Sequence, residues 1–298
     1  MTIKGLKKSI EIAGLTADEG VLTEAFNKLE GDEFERIGKD FFDKDKNSAA
    51  LRDLEPLAKA CGVHYYTAQL ALVLADAAEL EKVYVSKGYG EKFYVNLLND
   101  VKVKREECFK RFGVIGTNDG SWYCGFFSLR RFAFDRLTFD AARRLQFGYD
   151  KFGADYKPGD EVVAVHISSG RPLLREDVIA SLKEAYEFFN YKLVNGLLVV
   201  FCISWLIYEP YVKEIYSPES NLAKFAKLFD PIGEVMLPEY FHDAWRIFYK
   251  EDLSDPDSLP QDTSLQRKFI KWIKEGKPNG EGAGVLVFDG EKVLTERP

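Results

Sequence analysis

The sequence predicts an α/β protein in two parts: an all-α N-terminal domain over residues 1–115 and a sheet-containing domain over residues 116–298. Three observations point there. Residues up to about 115 carry apolar side chains at helical spacing. A turn-rich bridge follows Phe112, with Gly113, Gly116, Asn118, Asp119 and Gly120 in quick succession. Beyond it, two apolar β-like runs at 162–167 and 198–205 flank an amphipathic stretch at about 176–189, the pattern of a βαβ crossover.

In the first part, Thr16 with Glu19 three positions on has the form of a capping box. Leu22, Ala25, Phe26 and Leu29 then recur on one face. Ser48 is expected to cap a second helix, which carries Leu51, Leu54, Leu57 and Ala58. Residues 67–80 are rich in Ala and Leu and apolar nearly all round, as in a helix buried on several sides. Phe93, Val95, Leu97 and Leu98 lead into a charged helix near 102–111.

In the second part, 122–129 and 144–149 read as short β-like runs. The runs at 162–167 and 198–205 are almost continuously apolar, as strands are when helices cover both faces of the sheet. Val178, Leu182, Ala185, Tyr186 and Phe189 line one side of the helix between them. Further helices are expected after Ser220, at 238–249 and at 265–274. Gly276, Pro278, Gly280, Gly282 and Gly284 read as a flexible turn, and 285–288 as a late strand at a sheet edge.

Composition excludes several classes. The 298 residues are 46 % hydrophobic and 30 % charged, with 23 Phe and 15 Tyr, so the core needs no covalent staple. The net charge of −7 argues against a nucleic-acid binder or an anionic-membrane binder, both of which need concentrated positive charge. Cys61, Cys108, Cys124 and Cys202 have no metal-motif spacing and read as reduced thiols of a cytoplasmic protein. The start, Met1-Thr2-Ile3-Lys4, has no apolar run of the kind signal peptides carry. The longest apolar stretch, 197–207, is shorter than the about 20 residues a membrane helix needs. His64 and His242 lack ligand-like spacing, so no metal is expected. No G-x-S-x-G element supports a serine hydrolase.

The residues with chemical potential cluster around the crossover. His166, on the first of its strands, is a candidate general base because imidazole titrates near neutrality. The competing reading is a core histidine bonded to a neighbouring strand or helix. Ser168, Ser169, Gly170 and Arg171 form either a plain turn or a phosphate cradle. Cys202 and Ser204 alternate on the second strand and face one side. A Cys-His acyl-enzyme would require Cys202 to approach His166.

Four passages occur in order. They are Arg144-Leu145-Gln146-Phe147; Val165-His166-Ile167-Ser168-Ser169-Gly170-Arg171-Pro172-Leu173 continuing to Ala185-Tyr186-Glu187-Phe188-Phe189; Cys202-Ile203-Ser204-Trp205-Leu206 with Ser217-Pro218-Glu219-Ser220-Asn221 and Phe225; and Leu259-Pro260-Gln261-Asp262-Thr263-Ser264-Leu265-Gln266 with the glycines after it. Together they resemble a bacterial family of GNAT-like N-acyltransferases, with a helical N-terminal domain and a GNAT-like C-terminal domain. The resemblance covers most of residues 120–290.

The resemblance implies a mixed α+β sheet flanked by helices, in which two adjacent parallel strands splay apart and acyl-CoA, most simply acetyl-CoA, lies in the wedge. By the same token, Ile167 offers backbone groups to the pantetheine arm, and Ser168, Ser169, Gly170 and Arg171 hold the pyrophosphate. Ser204 and Asn221 complete the cofactor side. His166 receives the acceptor proton, Tyr208 or Tyr211 protonates the leaving thiolate, and Gln146 and Trp205 line the acceptor side. The loop departs from the family's usual Gln or Arg followed by x-x-Gly-x-Gly or Ala, and Glu176 and Asp177 in the next helical turn repel phosphate. The expected function is acyl transfer, most simply of acetyl, to the amine of a small molecule or peptide. The alternative is a catalytically inactive GNAT-like binding or scaffold protein. The helical part would then be the partner surface; in an enzyme it would shape the acceptor pocket or join copies in a homo-oligomer.

Overall fold

The computed structural model describes residues 1–237 and 241–298, apart from the His242 side chain. The chain divides into two compact units, Met1–Ala133 and Phe134–Pro298.

The first unit contains helices α1 (Ile3–Ile12), α2 (Glu19–Leu29), α3 (Asp32–Phe41), α4 (Asn47–Ala60), α5 (Tyr65–Ser86), α6 (Lys92–Phe112) and α7 (Gly120–Phe127). Its organising element is α5, which packs against α1, α2, α4, α6 and α7. That is why its sequence is apolar on nearly every side: Leu70, Leu72, Val73, Leu74 and Ala77 are all fully buried.

Three local expectations in this unit are corrected. Thr16 does not cap α2; it opens a 3-10 turn, Thr16–Asp18, and Asp18 occupies the cap position. The Asp18 carboxylate instead accepts a hydrogen bond from Arg105 at 2.5 Å. Ser48 lies inside α4, which starts one residue earlier. The run at 122–129 falls mostly in α7 and is helical, burying Tyr123, Cys124, Phe126 and Phe127. A short apolar run does not distinguish a strand from a buried helix. What decides is the helix start, where the Gly120 N–H donates to Gln69 Oε1 at 2.8 Å. His64 caps α5, its Nδ1 accepting the Tyr66 N–H at 3.1 Å.

β1 (Arg131–Phe134) carries the chain from the first unit into the second. Then follow β2 (Leu137–Arg144), β3 (Glu161–Ile167), α8 (Arg175–Phe188), β4 (Leu198–Ser204), α9 (Glu209–Glu214), α10 (Asn221–Ala226), β5 (Asp230–Met236), α11 (Trp245–Phe248), α12 (Ser264–Lys274) and β6 (Gly280–Phe288). Among the described residues the sheet is six-stranded, in the order β1-β2-β3-β4-β6-β5. β3 and β4 are parallel, joined through α8, as the βαβ pattern predicts. β2 pairs antiparallel with β3, β6 with β4, and β5 with β6.

β6 is not the edge strand that its position near the end of the sequence suggests: it lies between β4 and β5, and β5 is the edge. Nor do Gly280, Gly282 and Gly284 form a turn; they are strand residues. A Cβ on Gly282 would stand 2.1 Å from the Ile207 carbonyl oxygen, and one on Gly280 2.7 Å from the Tyr208 ring. Glycine at these alternating positions lets the chain leaving β4 press onto the sheet. β5 escapes sequence reading because Pro231 and Gly233 bracket a register shift that breaks the alternation.

The 144–149 run is not a separate strand. β2 ends at Arg144, and the chain turns into an arm held by Leu145 N–H to Asp160 at 2.9 Å and by a bridge between Tyr149 and Tyr156. Leu145 and Tyr149 from this arm close over Val199, Phe201, Val285 and Val287 on one face of the sheet. Of the helix expected at 238–249, residues 238–240 lie outside the described residues; the remainder is a 3-10 turn, His242–Ala244, and α11. A capping box of Thr263 and Gln266 starts α12. Among the described residues, no helix is long and apolar enough to cross a membrane.

Candidate functional site

β3 and β4 are in register at only two positions, Val163 with Val200 and Ala164 with Phe201. Each strand continues for three more residues, and on its outer side each remains paired: Ile167 opposite Leu137 on β2, Ser204 opposite Gly282 on β6. The two strands therefore part from one another while staying bonded to the rest of the sheet. Among the described residues, no registered pair joins the two strands beyond Ala164 and Phe201.

His166 lies on this stretch of β3. Its Nε2 is 2.9 Å from Asp140 Oδ2, in the neighbouring β2. The register pairs His166 with Thr138 and Ala164 with Asp140, so the carboxylate is the diagonal neighbour on the same face. Beyond the bond a bulge shifts the β2 register between Asp140 and Arg143. The His166 side chain is 28 % exposed and that of Asp140 12 %, so the pair is sheltered yet within reach of a ligand.

The loop after β3 is fastened from behind. The Arg136 guanidinium, only 4 % exposed, donates Nε to the Pro172 carbonyl, one terminal nitrogen to that of Ser168 and the other to that of Arg171, each at 3.0 Å. Burial pushes its pKa down to about 10, with the nearby Arg171 adding to the effect. Gly170 takes a φ of +96°, open to glycine and costly to other residues. Arg171 pairs with Asp135 at 2.9 Å, and Ser169 Oγ lies 3.4 Å from Arg246. Leu174 occupies the cap position of α8 and offers no capping side chain.

At the end of β4, Ser204 Oγ accepts the Leu206 N–H at 3.1 Å and so starts the 3-10 turn Trp205–Ile207. Trp205 is buried, its ring packed against Phe241 and Phe269. Tyr208 and Tyr211 follow with ring centroids 4.8 Å apart, edge to face. The Tyr211 hydroxyl donates to Asn279 Oδ1 at 2.8 Å, and that of Tyr208 lies 3.6 Å from Met236 Sδ. Burial raises the pKa of both phenols, keeping them protonated.

Ser220 caps α10, its Oγ accepting the Ala223 N–H at 3.2 Å. Asn221 is thereby left exposed at the rim of a 390 Å³ cavity, with Leu173, Arg175, Lys224, Lys227 and Arg297 also in the wall. Gln146 is exposed on the arm after β2. Cys202 is 1 % exposed, and burial pushes its thiol pKa far up. Strand alternation places it on the face opposite His166, because Ala164 and Phe201 share a face and Cys202 is one residue on. The Cys-His arrangement does not form.

The structure thus gathers His166, Ile167, Ser168, Ser169, Gly170 and Arg171 on β3 and its loop, and Ser204, Trp205, Tyr208 and Tyr211 along the exit from β4. Sequence reasoning missed Asp140 and Arg136. The available signal was two charges set among the apolar Phe132, Phe134, Leu137 and Phe139. Among the described residues, no group of three or more His, Cys, Asp or Glu is arranged to hold a metal ion.

A mixed sheet whose two central parallel strands part, with a helix leading from one to the other, defines a GNAT-like domain. Residues 129–286 match the family model of the GNAT-like C-terminal domain, and the chain belongs to that family. Solved structures share the fold. An acyltransferase in complex with decanoyl-CoA and teicoplanin is 20 % identical, with 74 % of this chain and 66 % of that one covered, just under two thirds, at a TM-score of 0.61. An acyltransferase mutant in complex with octanoyl-CoA is 17 % identical, with 94 % and 98 % covered and a TM-score of 0.62. An acyltransferase in complex with CoA and 10C-Teicoplanin is 17 % identical over the same shares, at a TM-score of 0.61. At these identities the likeness is one of fold. No curated protein matches the chain.

Proposed function

We propose that this chain is a cytoplasmic N-acyltransferase that moves an acyl group from acyl-CoA to an amine on a small molecule or peptide. The observation that most supports this reading is the end of β3–β4 pairing at Ala164 and Phe201, beyond which the strands part into a wedge suited to the pantetheine arm. The loop at 168–171 and the uncapped start of α8 suit the pyrophosphate. Lys227 lines the nearby cavity together with Arg175, Lys224 and Arg297, which pair with Glu296, Glu219 and Glu209, so nucleotide phosphates would bind there by competing with those carboxylates.

In the reaction, the acceptor nitrogen attacks the thioester carbonyl carbon and forms the C–N bond. Its proton passes to His166, which Asp140 orients. The tetrahedral intermediate then collapses with cleavage of the C–S bond, and the CoA thiolate takes a proton from the Tyr208 hydroxyl or from water. The residues mainly position reactants and handle protons. Tyr208 suits the donor role better than Tyr211, whose hydroxyl is committed to Asn279. The transferred group is acetyl or a longer chain. The related structures with octanoyl-CoA and decanoyl-CoA make medium chains a necessary part of the test.

A second reading, a GNAT-like scaffold without catalysis, is favoured by Glu176 and Asp177 in the first turn of α8 and by the Asp135 carboxylate that already pairs with Arg171. Thermal unfolding with CoA, acetyl-CoA, octanoyl-CoA and decanoyl-CoA separates the two. A ligand that binds only the native state raises stability by about 2.7 kcal/mol at a hundred times its Kd. A dose-dependent rise with any of the four supports the enzyme. No rise with all four supports the scaffold.

A further inference from the structure

We infer that Arg136 is the positioning residue of the pyrophosphate loop: from behind, it fixes which way the loop peptides face and supplies a positive charge that has no ion-pair partner among the described residues. The inference rests on the proposed binding of acyl-CoA.

The geometry follows from the planarity of the peptide bond. In a trans peptide the carbonyl of one residue and the N–H of the next point in opposite directions. The carbonyls of Ser168 and Pro172 point at Arg136. The amides of Ser169 and Leu173 therefore point away from it, and among the described residues neither has a hydrogen-bond partner. The third clamped carbonyl, that of Arg171, precedes Pro172, which has no N–H to present. One buried side chain thus turns two free amides outward, beside the uncapped start of α8.

The charge points the same way. A buried guanidinium ordinarily has a carboxylate partner. Arg136 has three carbonyls instead, and among the described residues no acid lies within ion-pair distance. Asp135 and Asp177 act on it only at longer range, and Arg171 opposes them. Asp135 is already paired with Arg171. An anion on the outer side of the loop would complete this arrangement, and three divergent hydrogen bonds hold the cation in place to meet it.

The test compares three probes, CoA, 3′-dephospho-CoA and pantetheine, on the wild-type chain and on Arg136→Gln and Arg136→Lys, by titration calorimetry and competition. Arg136→Gln is expected to weaken CoA and 3′-dephospho-CoA alike by about tenfold or more, and to leave pantetheine within about twofold. Arg136→Lys keeps the charge, loses the fork, and should fall between. The selectivity for pyrophosphate-bearing probes is the readout that a merely structural role would not move. A parallel loss on all three probes, or no change on any, overturns the inference; should the Gln variant fail to fold, the Lys variant is read by the same ratio. A wild-type chain that binds neither CoA nor 3′-dephospho-CoA is a different result: it removes the proposed function itself, and this inference with it.

Discussion

Asp140 Oδ2 lies 2.9 Å from His166 Nε2, reached from the adjacent strand β2 across a diagonal of the antiparallel ladder. The bond ties the His166 ring to the neighbouring strand, the arrangement that the proposed base would need. His166 stands two residues beyond Ala164, where β3 parts from β4.

If His166 is the base and Asp140 its orienting partner, Asp140→Asn should lower kcat by about 10- to 100-fold, the range of a hydrogen bond to a charged group. The KM for acyl-CoA should change little, because the carboxylate acts on the ring and not on the cofactor. Steady-state assay of CoA thiol release checks this. A rise in KM with unchanged kcat would place Asp140 in binding instead.

Gly282→Ala should destabilise the second unit by about 1–3 kcal/mol, the range for forced overpacking. The new methyl would stand 2.1 Å from the Ile207 carbonyl oxygen, and backbone cannot swing aside as a side chain can. Gly20→Ala is the contrast. It lies in α2 with nothing within 4 Å of the added carbon, and should gain up to about 1 kcal/mol from helix propensity. Urea unfolding of the two variants reads both effects.

Asp76 on α5 gives the chain a pH-dependent term in its stability. The side chain is 2 % exposed, Oδ2 has no hydrogen-bond partner among the described residues, and burial raises its pKa from 3.8 to about 7. Between those values the folded state holds a proton that the unfolded state has released, so this contribution is fully present below pH 3.8. It falls by about 1.4 kcal/mol per pH unit as pH rises, until the folded group itself ionises near pH 7. Asp76→Asn should remove that slope and be more stable than the wild type at pH 8, as measured by denaturant unfolding of both chains from pH 4 to 8.

Cys202 should resist alkylation in the native state, since its thiol is buried and held protonated. Cys61, the one cysteine of the four that is not fully buried, should react first. Mass spectrometry after timed iodoacetamide treatment, with and without urea, gives the order. Cys202→Ala should retain acyl transfer, as expected when the amine attacks the thioester directly and no acyl-enzyme forms.

Much of this architecture was legible before any coordinates. The Ala- and Leu-rich stretch at 67–80 declared a central helix because only a helix surrounded by others can be apolar all round. The two apolar runs flanking Val178, Leu182 and Ala185 declared a parallel crossover, and the parallel pairing of β3 with β4 bears that out. Local starts were less legible. Thr16 and Ser48 have the right chemistry for caps, yet a 3-10 turn and an earlier helix start displaced them. The glycines at 280, 282 and 284 resembled a turn because the residues they accommodate, Ile207 and Tyr208, lie more than seventy positions away in sequence.

The sequence by itself determined the helical character of the first part and the β3–α8–β4 crossover, since periodicity is written along the chain, and it placed His166 and its loop at the end of a central strand; it misread 122–129, 144–149 and 280–284 and passed over β5. Only the tertiary structure decided that β6 inserts between β4 and β5, that Asp140 meets His166, and that Arg136 grips the loop at 168–172. Each of those is a contact between segments whose local patterns carry no record of their partner. Strand order and buried polar pairing depend on which surfaces complement one another once the core has closed.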